Sequence, residues 1–128
     1  MFVRFVIGTR DPSSQVETGL FTAAYQLRDE ERLPDYDQAR LRELLAWFAE
    51  HLIIPAPLSE VPARERRPRA ISWFKAEAKE HVQRAQEVAA LLGQYDVTVR
   101  MVTTNRPGYV VYEDEHQLVA EPFGETLR

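Results

Sequence analysis

The densest set of side chains that could do chemistry lies between residues 64 and 75. Guanidinium groups bind phosphate or carboxylate through paired hydrogen bonds, and an indole ring can stack on a base. We therefore treat this set as a candidate partner-binding or anion-binding site. The structural alternative is a solvated loop, with nearby glutamates offsetting the charge and the tryptophan capping the core. The set consists of Arg64, Arg66, Arg67, Arg69, Trp73 and Lys75.

A second set of residues has side chains that exchange protons near neutral pH or carry carboxylates. His81 and His116, together with Tyr112, Glu113 and Asp114, could form an acid-base site. The structural alternative is a packed histidine on a helix and an acidic turn that keeps a hairpin end soluble. The histidines show no HxH or HExxH spacing, so spacing alone builds no metal site. The chain contains no cysteine, which excludes thiolate ligands and thiol nucleophiles. We expect no metal and no cofactor.

The elements that must position these residues follow from hydrophobic periodicity. Alternation over residues 1–8 predicts a strand, and apolar spacing of three and four residues predicts helices at 19–31 and from Asp35 onward. The stripe that begins at Ile71 predicts a third helix, which ends at Gly93. Three further strands are predicted at residues 97–103, 109–113 and 116–121.

The predicted order is β-α-α-α-β-β-β, an α+β two-layer sandwich with a mainly antiparallel four-stranded sheet and helices on one face. The last three strands should form an antiparallel meander, because their connections are too short for a crossover. The position of the first strand in the sheet stays open. We expect residues 1–128 to form a single domain, with a loop at residues 53–70 that contains four prolines and the arginines.

The strand pattern also predicts an exposed face of the sheet. If the helices cover Val3 and the residues that alternate with it, the other face carries Phe2, Arg4, Arg100 and Val102. A face that mixes apolar side chains with arginines is typical of a partner-binding sheet. The alternative is an ordinary face, or one that is covered by the proline-rich loop.

Composition and charge disfavour two classes of protein, general polyanion binders and membrane proteins. The chain has 128 residues, is 45% hydrophobic and carries a net charge of −4, which disfavours general binding to polyanions. It has no signal-peptide pattern and no apolar run long enough for a membrane helix, so we expect a cytoplasmic protein without membrane contact. The segments MFVRFVIG and RPGYVVYEDEHQLVAEP resemble a family of small uncharacterised bacterial proteins. That resemblance covers nearly the whole chain and implies no activity.

Three functional hypotheses result. The leading one is a small non-enzymatic binding or regulatory module that acts on a protein partner or as a homodimer. The second is a nucleic-acid-binding protein that uses the arginines of residues 64–69. The third is a small enzyme with an acid-base site made of a histidine and a carboxylate.

Overall fold

The computed structural model describes residues 1–10, 17–53 and 70–123, except for the side chains of residues 9, 10 and 17. The arginines of residues 64–69 lie outside this range. The described part has six strands and three helices, which confirms the predicted α+β class with three helices and an antiparallel sheet. The elements are β1 (Phe2–Arg10), β2 (Glu17–Gly19), α1 (Leu20–Glu30), α2 (Asp35–His51), β3 (Ile71–Lys75), α3 (Lys79–Gly93), β4 (Arg100–Thr104), β5 (Tyr109–Glu113) and β6 (Gln117–Glu121).

Strand β1 is the centre of the sheet. On one edge it pairs with β4, from Phe2 opposite Thr104 to Val6 opposite Arg100. On the other edge it pairs first with β3, through Phe2 and Val3, and then with β2, through Val6 and Arg10. Arg4 and Phe5 pair with neither strand on that edge. The sheet is therefore split beside the middle of β1.

The remaining strands extend the sheet from β3. Strand β6 pairs with β3 along four residues, and β5 pairs with β6 as a hairpin. All pairs are antiparallel. The predicted three-strand meander is wrong, because β4 pairs with β1 rather than with β5. The predicted count of four strands is also too low, since β2 and β3 were not expected.

The segment that begins at Ile71 is a strand rather than the start of the third helix. Its residues alternate between two covered faces: Trp73 is buried on one, and Phe74 is buried on the other. A strand that is covered on both faces has a nearly continuous run of apolar residues in its sequence. Short buried helices have the same pattern, so periodicity does not separate the two. Helix α3 begins at Lys79 and buries Ala85, Val88 and Leu92.

The main core lies between the helices and one face of the sheet. Helix α2 supplies Leu41, Leu44 and Phe48, and β1 supplies Val3 and Phe5. A smaller apolar cluster occupies the opposite face of the sheet, where Trp73 is 1% exposed. Its buried members are Ile71, Trp73, Leu118 and Ala120, with Phe2 and Val102 packed against them.

Gly108 provides a test of this arrangement. Its φ of +137° is unfavourable for a side chain, and a Cβ atom there would lie 2.0 Å from the carbonyl oxygen of Glu121. We expect Gly108→Ala to lower the free energy of unfolding by at least about 2 kcal/mol, through backbone strain and the clash together. Urea unfolding followed by circular dichroism measures the change.

Gly93→Ala is the matched control for that substitution. A Cβ atom at Gly93 meets nothing within 4 Å, and the residue closes helix α3. Alanine there should raise stability by about 0.5–1 kcal/mol. Equal effects of the two substitutions would contradict the close approach of Gly108 to β6.

Candidate functional site

The two described members of the 64–75 set lie on β3. The buried indole of Trp73 belongs to the smaller apolar cluster, and its Nε1 has no hydrogen-bond partner within the described part of the chain. Lys75 lies on the same face of the strand, and its Nζ forms a 2.7 Å ion pair with Glu113 of β5. Trp73 thus packs inside the domain, and the charge of Lys75 is matched by a carboxylate.

The strand register places the predicted sheet-face residues together. Arg4 lies opposite Val102, Val6 opposite Arg100, and Phe2 opposite Thr104. Directly opposite residues of an antiparallel pair point to the same side of the sheet. Phe2, Arg4, Arg100 and Val102 therefore share the face that holds Trp73. The centre of this face is buried, whereas Arg100 at its edge is exposed.

Asp114 organises the turn between β5 and β6. Its Oδ2 accepts hydrogen bonds from the Tyr112 hydroxyl at 2.8 Å and from the Gln117 side chain at 3.1 Å. Its Oδ1 accepts from the backbone N–H groups of His116 and Gln117, at 2.9 and 3.0 Å. These four donors hold the carboxylate in a turn-stabilising geometry.

The same contacts shift two pKa values. Burial acts to raise the pKa of Asp114, but the hydrogen bonds from His116, Tyr112 and Gln117 outweigh it, so this pKa lies below its ordinary value. The hydrogen bond to Asp114 raises the pKa of Tyr112, and burial and the carboxylate charge act in the same direction. At neutral pH the pair is a tyrosine hydroxyl that donates to a carboxylate.

Gln117 links the hairpin turn to two other elements. This residue is 2% exposed, and its Nε2 donates to the carbonyl oxygen of Ile53, just beyond α2, at 2.6 Å. Its Oε1 accepts from the Ser72 hydroxyl of β3 at 3.1 Å. Gln117 thereby connects the turn, the end of α2 and β3, and its amide has partners on both sides.

The rings of the three histidines form one contiguous cluster with Trp47 of α2, which His51 and His81 contact directly. The His51 ring stacks on the indole at a centroid distance of 4.3 Å, and the His81 ring meets the indole edge-on at 4.8 Å. The ring of His116 stacks on His81 at 4.2 Å. No sequence spacing indicates this cluster, because its members come from α2, α3 and the β5–β6 turn.

His81 has a clear structural role in this cluster. It is 6% exposed, and its Nε2 lies 2.8 Å from the carbonyl oxygen of His51 at the end of α2. Because a carbonyl oxygen can only accept, this nitrogen carries the proton in the contact. Among the residues that the structure describes, no three histidine or acidic side chains are placed to hold a metal ion.

The split in the sheet opens into a cavity of about 740 Å³. Arg4 and Phe5 of β1 form its floor, and Ser72 and Phe74 of β3 form one side. The Nη1 of Arg4 donates to the carbonyl oxygen of Ser72 at 3.4 Å, so the guanidinium lies in the gap between β2 and β3. Helix α1 and the end of α2 complete the walls. No sequence pattern indicates this cavity, because the gap requires β2 and β3, neither of which was predicted.

The chain matched no protein-family model, no curated protein and no solved structure. Within residues 1–10, 17–53 and 70–123, no helix is long and apolar enough to cross a membrane.

The Asp114 network predicts a specific pH dependence of stability. Because the folded pKa of Asp114 is depressed, its contribution is present above the ordinary value of 3.8 and is lost as pH falls through the folded value. We expect Asp114→Asn to lower the free energy of unfolding at pH 7 by about 1–3 kcal/mol. Urea unfolding at pH 7 and pH 3 should show this difference from the wild type shrinking at the lower pH.

Glu115→Gln serves as the control for Asp114→Asn. Glu115 is an exposed residue of the same turn, and its carboxylate should contribute little to stability. A difference between the wild type and Asp114→Asn that is the same at both pH values would contradict the role given to the Asp114 carboxylate.

Proposed function

We propose that this protein is a small non-enzymatic binding or regulatory module that acts through protein–protein interaction. Its docking surface is the outer edge of β4, which is the edge that faces away from β1. Among the described strands, β4 pairs with β1 alone. An exposed strand edge presents a row of backbone donors and acceptors to which an extended segment of another chain can add.

The regularity of β4 favours this edge over the one formed by β5. Strand β4 pairs with β1 over five consecutive residues without a shift in register. The register of β5 against β6 shifts between Val110 and Tyr112, and such irregularities disfavour the addition of another strand. Strand β4 also contains neither proline nor lysine, two residues that commonly protect exposed edges.

The side chains of β4 suit an extended partner. Met101 is 50% exposed and Thr103 is also exposed, so an added strand would meet apolar and β-branched side chains. We propose that the partner is an extended segment of another protein or of a second copy of this chain. A second contact with the partner, through the arginines of residues 64–69, stays a prediction. We place this activity in the bacterial cytoplasm, in line with the sequence resemblance.

The two other hypotheses have less support. Nucleic-acid binding depends on a segment outside the described residues, on a tryptophan that is buried and on a lysine that is paired with Glu113. An acid-base site would use His81 and Asp114, but both side chains already have structural hydrogen bonds. His81 bonds to the end of α2, and Asp114 bonds within the hairpin turn. Among the described strands, the outer edge of β4 has no partner, and unlike the outer edge of β5 it belongs to a strand that is paired without a shift in register.

The test combines capture with an edge variant. The wild-type protein is immobilised and incubated with native bacterial extract, and we expect it to retain a partner protein in stoichiometric amount after nuclease treatment. If the partner is a second copy of the chain, the protein should instead dimerise in sedimentation equilibrium. The double substitution Met101→Lys and Thr103→Lys should reduce either form of association at least about tenfold, because lysines on an edge oppose strand addition.

Val110→Lys is the matched control on the other edge strand. Val110 is 52% exposed, close to the 50% of Met101. This variant should associate like the wild type. Loss of association with Val110→Lys alone would assign the docking surface to β5. Loss of the captured material on nuclease digestion would favour the nucleic-acid hypothesis instead.

A further inference from the structure

We propose that the cavity in the split of the sheet is a binding site for a small neutral molecule that is mainly apolar. The cavity lies on the opposite side of β1 from β4, so it is separate from the docking surface proposed above. Its volume of about 740 Å³ falls within the range of small-molecule sites in proteins, roughly 300–1,000 Å³.

Large hydrophobic side chains form most of the cavity wall. They come from β1, β3, α1 and the end of α2. Water molecules in such a space find few hydrogen-bond partners, whereas an apolar molecule there removes its own surface and that of the wall from water. The walls therefore favour an apolar ligand. The main contributors are Phe5, Leu20, Phe21, Phe48, Leu52 and Phe74.

Four of these side chains are phenylalanines that pack against one another. The ring of Phe21 meets Phe48 edge-on at a centroid distance of 4.9 Å and Phe74 at 6.3 Å. The ring of Phe5 meets Phe74 edge-on at 6.4 Å. Edge-to-face contacts of this kind are also open to an aromatic ligand, because aromatic rings attract one another through the edge of one and the face of the other. An aromatic probe is therefore suited to this cavity.

The buried polar side chains of the wall are bonded within the domain. The Nη1 of Arg4 donates to the carbonyl oxygen of Ser72 at 3.4 Å, and the Ser72 hydroxyl donates to Gln117 at 3.1 Å. The Nε2 of Gln117 donates in turn to the carbonyl oxygen of Ile53 at 2.6 Å. A polar or charged ligand group placed here would give up its water and compete with these internal bonds. This cost selects for a neutral ligand with few polar groups.

The entrance of the cavity lies between α1 and the end of α2. Thr22, Tyr25 and Ala49 line it and are exposed, whereas Phe5 and Phe74 of the lining are buried. The hydroxyl groups of Thr22 and Tyr25 are thus the polar side chains that lie near solvent. A ligand with one polar group would keep that group at the entrance and place its apolar part among the phenylalanines.

N-phenylnaphthylamine is a suitable direct probe, because it is neutral and aromatic and its fluorescence rises in apolar surroundings. Titration with the full chain should give a saturable rise. Octanol should displace the probe at a concentration at least about tenfold lower than octanediol with a hydroxyl at each end, because the diol must bury its second hydroxyl. Octanoate should also require a higher concentration than octanol, since a carboxylate loses more hydration than a hydroxyl.

Two alanines of α2 provide a matched pair of variants that tests the location. Ala49→Trp, at the entrance, should weaken probe binding at least about tenfold, whereas Ala46→Trp, at an exposed position outside the cavity, should bind like the wild type. Circular dichroism checks that both variants are folded. Thr22→Trp blocks the same entrance from α1 and gives the same test if Ala49→Trp does not fold.

Three results would overturn this proposal. The first is a wild-type chain that gives no saturable rise in probe fluorescence. The second is wild-type affinity for the probe in folded entrance variants. The third is displacement of the probe by octanediol or octanoate at the same concentration as octanol or a lower one. None of these measurements depends on the edge of β4, so failure here leaves the proposed docking surface to its own test.

Discussion

The pairing of β1 with three other strands is the constraint on which the rest of the structure depends. Phe2 and Val3 each have a neighbour on both edges, in β3 and in β4. With this strand in place, Val3 and Phe5 close the helical core while Val6 is buried on the opposite face. The same strand creates the split in the sheet, because β3 leaves its edge before β2 joins it.

Polar contacts add to the apolar contacts that set the register of the β5–β6 hairpin against β3. Leu118, Val119 and Ala120 of β6 are buried, and a one-residue shift would turn each of them to the other face of the sheet. Gln117 and Asp114 add directional hydrogen bonds to β3, to the end of α2 and within the turn. Buried polar groups whose partners are all present specify a single arrangement in this way.

The sequence predicted the local elements better than their assembly. Helix α2 follows from the spacing of Leu41, Leu44 and Phe48, which only a helix places on one side. Strand β3 was missed because Ile71, Phe74 and Ala78 also fit a helical stripe, and periodicity cannot separate the two for a short apolar run. The position of β4 was missed because its pairing with β1 is a long-range contact, which neither local pattern contains.

The candidate functional residues show the same contrast between local pattern and assembly. Arg4 and Val102 were placed on one sheet face by alternation alone, and their register agrees with that placement. The role of Arg4 as the charged group of a cavity depends on where β2 and β3 diverge, which is a property of the whole sheet. Similarly, the histidine cluster around Trp47 joins α2, α3 and a turn, and only the fold brings these together.

The long separation between paired strands also bears on how the chain is made. Strand β1 leaves the ribosome well before its partner β4, which lies about a hundred residues later in the sequence. Loop-closure entropy opposes such distant pairing, and an unpaired strand is prone to associate with other chains. Until synthesis reaches β4, the β4-side edge of the nascent β1 lacks its native partner. Chaperone protection during translation would then matter more for this domain than for a helical domain of equal length.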